Sequence, residues 1–441
     1  MWRHFDLMHT ILTFVSFFVY LYFTYILTEY ACLCCNLGII SRYKQQITVK
    51  KKGKTSIKMQ ELSKEKDWNY FYNPVRVIQG RGCTKQTANL VRELLPEGGR
   101  ILLLVWNELV FEQKAFRQLR EEKDFSVLPM CFHESNPTVE QLYGILEKTE
   151  PFGPQVVLAV GGGSTLDVGK SLCCLYGKSI TSAEALRIFI EKKQYGPKMA
   201  RWIGIPTTAG TGSEVTCWAT VWDPKAGVKR SLEDHGNYAY AALVDSSLTE
   251  SMPLNLAVSS ALDAVAHGAE SYWAKNSNVV SRALALRAIK LIMGQIDGLL
   301  EGNPDAPDRI SQGSLLAGMA FSNTKTTACH SISYPLTMEY SIPHGTAVGM
   351  LLAPILERNQ KKTEDMEALL QAMGVKSSQR VKQRIQEIFE KAGIPSSLRQ
   401  WQVEYGELSR LAQRGMTKGR ADNNPVELTP VMIEDILKDI Y

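Results

Sequence analysis

Hydrophobic residues fall along this chain in three successive regimes. From Leu7 to Leu27 the string LMHTILTFVSFFVYLYFTYIL carries no charge and is long enough to span ~30 Å of hydrocarbon as a helix. From Phe71 to about Asp245, short apolar runs alternate with amphipathic stretches. RILLLVW (Arg100 to Trp106) and PQVVLAV (Pro154 to Val160) are continuous, rich in Leu and Val, and bounded by Gly or Pro, which predicts buried strands. Between them, Glu112 to Glu122 and Thr138 to Lys148 read as helices. Alternation of this kind predicts a parallel sheet wound by helices. After Pro253 the pattern becomes helical, over Asn255 to Ala274, Val280 to Leu300, Arg309 to Thr326, Glu364 to Met373 and Ser378 to Ala392, with no convincing strand. The expected organisation is an apolar anchor with a Cys-rich flank over residues 1–40, a basic tether over 41–70, an α/β domain over 71–250 and an all-helical domain over 251–441. A cleft between the last two is a favoured place for cofactor and substrate.

Composition changes this picture in two places. With 45% hydrophobic and 22% charged residues among 441, the chain can bury large cores, and no repeat array or low-complexity tract competes with that reading. The net charge of +5 is local: Arg42, Lys44, Lys50, Lys51, Lys52, Lys54 and Lys58 follow one another without an acid. The remainder is slightly acidic, which excludes a nucleic-acid footprint on the folded body. By the positive-inside rule, the same basic run places the body on the cytosolic side of a membrane-anchored protein. Cys32, Cys34 and Cys35 beside the span suit reversible palmitoylation. The other cysteines (Cys83, Cys131, Cys173, Cys174, Cys217 and Cys329) are scattered in apolar contexts, as reduced core thiols are.

Three motifs carry chemistry. GGGSTLDVGKS (Gly161 to Ser171) follows a predicted strand, and its glycines let backbone amides at a helix start approach a pyrophosphate; purely conformational glycines would look similar. IPTTAGTGSEVT (Ile205 to Thr216) is a second loop of small hydroxyl residues, equally able to be a plain polar turn. In ALDAVAHGAESYWA, Asp263 and His267 are four apart, so both side chains leave one helix face. The chain has seven histidines, and two others, His330 and His344, lie fourteen apart in HSISYPLTMEYSIPHG. Three imidazoles and a carboxylate form a first-row metal set suited to Fe(II) and also to Zn(II). Singly, each histidine is more often a core residue than a ligand.

GGGSTLDVGK, PTTAGTGSEVT, DAVAHGAESY and IPHG, in that order, resemble the iron-containing, group III alcohol dehydrogenases, whose fold is that of dehydroquinate synthase: a Rossmann-like α/β domain followed by an all-α domain. The resemblance implies a metal-dependent NAD(P)H oxidoreductase, assembled as a homodimer or larger. It implies Asp263, His267, His330 and His344 as metal ligands and Gly161, Gly162, Gly163 and Ser164 as the pyrophosphate loop. Asp167, Lys170, Thr207, Thr208, Thr211 and Ser213 would surround the cofactor, with Lys229 where the family has a cofactor-contacting lysine. Two departures matter. Many members carry a histidine four residues after the third ligand, near the nicotinamide; here it is Tyr334, either a candidate proton relay alongside the catalytic metal ligand His267 or a phenol that packs against or orients the substrate. NAD-preferring members often end the second strand on an acid, whereas here Trp106 and Asn107 precede Glu108, leaving NADH and NADPH both open. HSISYPLT, with YNPVRVIQGRG (Tyr72 to Gly82), looks like the subgroup that reduces phosphonoacetaldehyde to 2-hydroxyethylphosphonate. Lys325 and Arg230 are the candidate partners for such a phosphonate. The other readings are a general alcohol, polyol or hydroxy-acid dehydrogenase, and a catalytically inactive membrane-tethered scaffold.

Overall fold

In the sheet, the continuous apolar runs become strands buried on both faces. The computed structural model describes residues 70–441. Its first half contains β1 (Arg76–Gln79), α1 (Thr87–Leu94), β2 (Gly99–Val105), α2 (Lys114–Glu121), β3 (Phe125–Cys131), α3 (Val139–Thr149), β4 (Val156–Gly161), α4 (Gly163–Leu175), α5 (Ala183–Lys192) and β5 (Arg201–Pro206). A hairpin, β6 (Trp218–Asp223) and β7 (Val228–Glu233), precedes β8 (Ala241–Val244). Six strands form one parallel sheet in the order β1-β8-β5-β4-β2-β3. Leu102 and Leu104 of β2 join Val157 and Ala159 of β4 in the core on one face, while Ile101, Leu103 and Val105 join Val156, Leu158 and Val160 on the other. Both faces are covered, so the strands need no polar alternation. The chain leaves β2 for an outer neighbour, β3, and returns on β2's other side as β4. That reversal opens the crevice at the carboxyl ends of β2 and β4 where such sheets bind ligands.

The second half is helical: α6 (Leu254–Trp273), α7 (Val279–Met293), α8 (Ile296–Leu300), α9 (Ala306–Thr324), α10 (Ala328–Tyr340), α11 (His344–Asn359), α12 (Met366–Ala372), α13 (Ser378–Lys391), α14 (Leu408–Arg414) and α15 (Pro430–Asp439). The predicted helix over Val280 to Leu300 is two, broken at Gly294, where a side chain would press on the Lys290 carbonyl at 2.9 Å. Helix α6 is buried almost all round between α7, α9 and α11. Its small face admits close neighbours: a Cβ on Gly268 would meet Ile289 at 2.9 Å. The six cysteines among the described residues are free.

The membrane-anchored localisation is corrected. Among the described residues no helix is long and apolar enough to cross a membrane. α6, the longest, carries Asp263, His267 and Glu270 inside the protein rather than an outward apolar surface. The Leu7–Leu27 run, the cysteines beside it and the basic tether lie outside the described residues.

Candidate metal and dinucleotide site

The glycine-rich turn joins β4 to α4, and Gly162 caps that helix without a side-chain partner for its first amides. Those amides are free to meet an anion at the positive end of the helix. Their glycines are forced by neighbours: a Cβ on Gly161 would meet Thr165 Oγ1 at 2.4 Å, and one on Gly163 would meet Thr211 Cγ2 at 2.8 Å. The second loop is thus packed on the first. Thr207 donates its amide to the Gly161 carbonyl at 3.0 Å, and Thr208 lies 3.3 Å from where a Gly162 side chain would begin. Ser164 Oγ accepts from the Asn136 amide at 3.0 Å. Asp167 accepts from Ser213 Oγ at 2.6 Å and from the Thr220 amide at 2.8 Å, which ties α4, the second loop and β6 together.

Lys170 departs from its expected place beside the cofactor. Its side chain is fully buried, and Nζ donates to Ser213 O (2.8 Å), Ser213 Oγ (3.0 Å), Thr216 Oγ1 (3.0 Å) and Trp218 O (2.8 Å). Four acceptors around one ammonium leave it no valence for a ligand, and its function is to hold the loop. Burial lowers its pKa, opposed by Asp167.

The second loop also reaches the helical half. Gly210 packs on α6, where a Cβ would strike Ser260 O at 2.7 Å, and Gly212, at φ 57°, lies against Gly318 of α9. The Gly210 carbonyl is 3.3 Å from His267 Nδ1. Donation from Nδ1 fixes the tautomer that leaves Nε2 as a bare lone pair. Asp263, His267 and His330 bring one donor atom each to within 4.8 Å of one another, all buried. Asp263 Oδ1 and His330 Nε2 lie 3.3 Å apart, yet neither has a hydrogen-bond partner. Two orphaned buried acceptors facing one point fit a cation between them. The fourth expected ligand, His344, opens α11 with its ring 5.4 Å from that of His330, alongside the cluster of three.

Sequence reading missed Glu270. It sits seven residues after Asp263 on α6 and is fully buried. Its carboxylate takes His330 Nδ1–H, Thr327 Oγ1 at 2.9 Å and the Cys329 amide at 2.6 Å. Burial works against charge on His330, but Glu270 and Asp263 favour a positive charge there and push its pKa up to about 10; a cation at Nε2 takes the place of that proton, so the same two carboxylates favour metal binding. Burial lowers His267 to about 4, so it stays neutral, as a ligand must. The i, i+7 spacing from Asp263 was the available signal.

Beyond the cluster, Phe321 stacks on His267 (4.1 Å between centroids) and Tyr334 on His344 (6.0 Å). The β6–β7 hairpin delivers Lys229, whose Nζ lies 4.0 Å from the Tyr334 ring centre. Burial would raise the Tyr334 phenol, yet Lys229, Arg420 and His330 draw it down to about 8. The expected phosphonate partners are corrected: Lys325 is paired with Glu233 at 2.8 Å, and Arg230 with Asp223 at 2.7 Å and Glu191 at 2.6 Å.

Residues 74–246 match the model of the iron-containing alcohol dehydrogenases, and residues 257–441 match that of the family's C-terminal region. The NADPH-dependent butanol dehydrogenase of Clostridium saccharobutylicum is 27% identical over 84% of this chain and 97% of its own length. Sulfoacetaldehyde reductase of Bifidobacterium kashiwanohense, solved with NAD+, superposes with a TM-score of 0.75 at 25% identity, over 85% of this chain and 98% of that one. An iron-containing alcohol dehydrogenase of Thermotoga maritima does so with a TM-score of 0.73 at 27% identity, over 85% and 99%. With both halves matched in order and the buried carboxylate–imidazole cluster in the second, the chain belongs to the iron-containing alcohol dehydrogenase family, as a metal- and NAD(P)-dependent oxidoreductase.

Proposed function

We propose that this enzyme reduces phosphonoacetaldehyde to 2-hydroxyethylphosphonate, with Asp263, His267, His330 and His344 as metal ligands. When bound, the metal supplies Lewis acidity and the nicotinamide a hydride, two electrons and one proton, for the carbonyl carbon. The amides of Gly161 to Ser164, with Thr207, Thr208 and Thr211, hold the pyrophosphate, and Lys229 contacts the cofactor from the hairpin. Glu270 keeps His330 in the tautomer whose Nε2 faces the cluster. Phe321 and Tyr334 keep bulk water from the reacting carbonyl. The second proton goes to the carbonyl oxygen from the Tyr334 phenol, whose lowered pKa of about 8 brings it nearer the working pH of a general acid.

The observation that carries this reading is Tyr334 stacked on His344 where relatives of the resemblance hold a second histidine. Sulfoacetaldehyde, named in one similar structure, is the sulfonate counterpart of the proposed substrate. A second reading, a neutral aliphatic aldehyde, is favoured by the apolar face of Phe321 against His267. Turnover of NADH and NADPH against phosphonoacetaldehyde, butanal and lactaldehyde decides between them; a preference for butanal sinks the first reading. His267→Ala is expected to lose both bound metal and turnover, and a metal-free His267→Ala protein with full activity would overturn the ligand assignment. Sedimentation of the purified protein tests the expected homodimer.

A further inference from the structure

Two cations stand near the metal cluster with no carboxylate within ion-pair distance among the described residues. Lys229 lies over Tyr334 and, at 5.6 Å, over Trp222. Arg420, in the segment between α14 and α15, lies over Trp218 at 5.8 Å, hydrogen-bonds the Tyr334 phenol, and makes a marginal bond of 3.5 Å to the neighbouring Gly419 carbonyl. Four other cations of this region are paired: Lys325 with Glu233, Arg230 with Asp223, and Arg414 and Arg410 with Glu339. A guanidinium has five N–H donors, and Tyr334 and Gly419 engage only part of them, which leaves this half-buried group with donors to spare for an anion. Lys229 has a role in cofactor binding under the reading above, and Arg420 has none.

The place of Arg420 is defined from two sides. On one, Arg420 lies over Trp218, whose ring is 5.6 Å from Phe321, which in turn stacks on His267. On the other, its charge acts on Tyr334, which stacks on His344. Trp218 and Phe321 together separate the guanidinium from His267 on the first side, and Tyr334 alone separates it from His344 on the second. Its planar fork matches the geometry of a phosphonate, sulfonate or carboxylate.

We infer that Arg420 anchors the oxyanionic head group of a short aldehyde whose carbonyl sits at the Asp263–His267–His330 cluster. This rests on the proposed reduction of an anionic aldehyde and extends it by naming the residue that confers that preference. The site was not visible as a motif, because Arg420 is separated by ninety residues from His330 and lies in an irregular segment.

The test compares the full-length enzyme with Arg420→Gln and Arg420→Lys. Phosphonoacetaldehyde, sulfoacetaldehyde and uncharged propanal are the substrates, with ethylphosphonate as a non-reacting probe. In Arg420→Gln the ratio of kcat/KM for either charged aldehyde to that for propanal should fall about ten- to hundredfold, the loss expected for one charge-assisted pair. Arg420→Lys should restore part of it. Ethylphosphonate should raise the melting temperature of the wild-type protein with and without metal, and should lose that effect in Arg420→Gln. An unchanged ratio in an enzyme that does turn over the charged aldehydes removes Arg420 while leaving the substrate reading intact. A wild-type enzyme that prefers propanal and ignores ethylphosphonate overturns both. A rise in the KM for NAD(P)H with ethylphosphonate binding retained would overturn the assignment in favour of the cofactor.

Discussion

Replacing Glu270 by Gln should dismantle the metal site without touching a ligand. The carboxylate is fully buried and accepts from four donors: His330 Nδ1, Thr327 Oγ1, the Cys329 amide and, at 3.4 Å, the His330 amide. A glutamine has one oxygen and one NH2 for the same four. If the NH2 faces Thr327 or Cys329, donor meets donor in a site closed to water. If it faces His330, Nδ1 must become the acceptor and the proton moves to Nε2, the atom 3.3 Å from Asp263 Oδ1. Either arrangement removes a lone pair or an orienting bond. Loss of such an outer partner costs about ten- to hundredfold in metal affinity, or about 1.4–2.8 kcal/mol; full burial places this site toward the upper end. Competition with a chromogenic chelator gives the Kd for Fe(II) and Zn(II), and circular dichroism establishes that the variant is folded. A folded Glu270→Gln protein with a wild-type Kd for both metals would refute the role given to this carboxylate.

Three further outcomes follow from the same geometry. Lys170→Met removes four hydrogen bonds, three to the second loop and one to β6, and should cost about 2–4 kcal/mol in urea unfolding, part of the bond energy being offset by the desolvation no longer required; a loss under about 0.5 kcal/mol would mean the ammonium is not holding the loop. Gly163→Ala pushes a methyl onto Thr211 Cγ2 and should weaken NAD(P)H binding in fluorescence titration, with Thr211→Ser recovering part; equal affinities in all three proteins would contradict the loop packing. Glu214 is buried, and desolvation pushes its pKa up to about 7, against the opposing pull of Lys170. A raised folded-state carboxyl pKa favours the fold below the unfolded value near ~4.5 and costs stability as pH climbs through about 7. The stability of Glu214→Gln relative to wild type should therefore improve between pH 5 and pH 8.5, and a pH-independent difference in denaturant midpoints would count against it.

What could be read locally was read correctly where burial alone sets the pattern. β2 and β4 are continuous apolar runs because both sheet faces are covered, and Asp263 and His267 share a face because a helix repeats every 3.6 residues. The glycines of the turn after β4 were legible for the same reason, since a close approach leaves its mark in residue type. The β6–β7 hairpin went unread although WATVWD and VKRSLE flank a Pro–Lys–Ala–Gly turn, because its alternation is weak beside the long sheet strands.

Orientation and partnership were decided only by the tertiary structure. Lys170 has the composition of a cofactor contact, but packing of the second loop turns its ammonium inward. Lys325 and Arg230 look available in one dimension, and chain folding places Glu233 and Asp223 against them. Arg420 gains its setting only when the segment after α14 is brought beside Trp218 and Tyr334. Glu270 acquires its task from His330, sixty residues away, because a lone pair is directed by whatever the fold brings against it. Sequence by itself determined which residues could be buried, helical or metal-binding in kind; contact between distant segments determined which of them face one another.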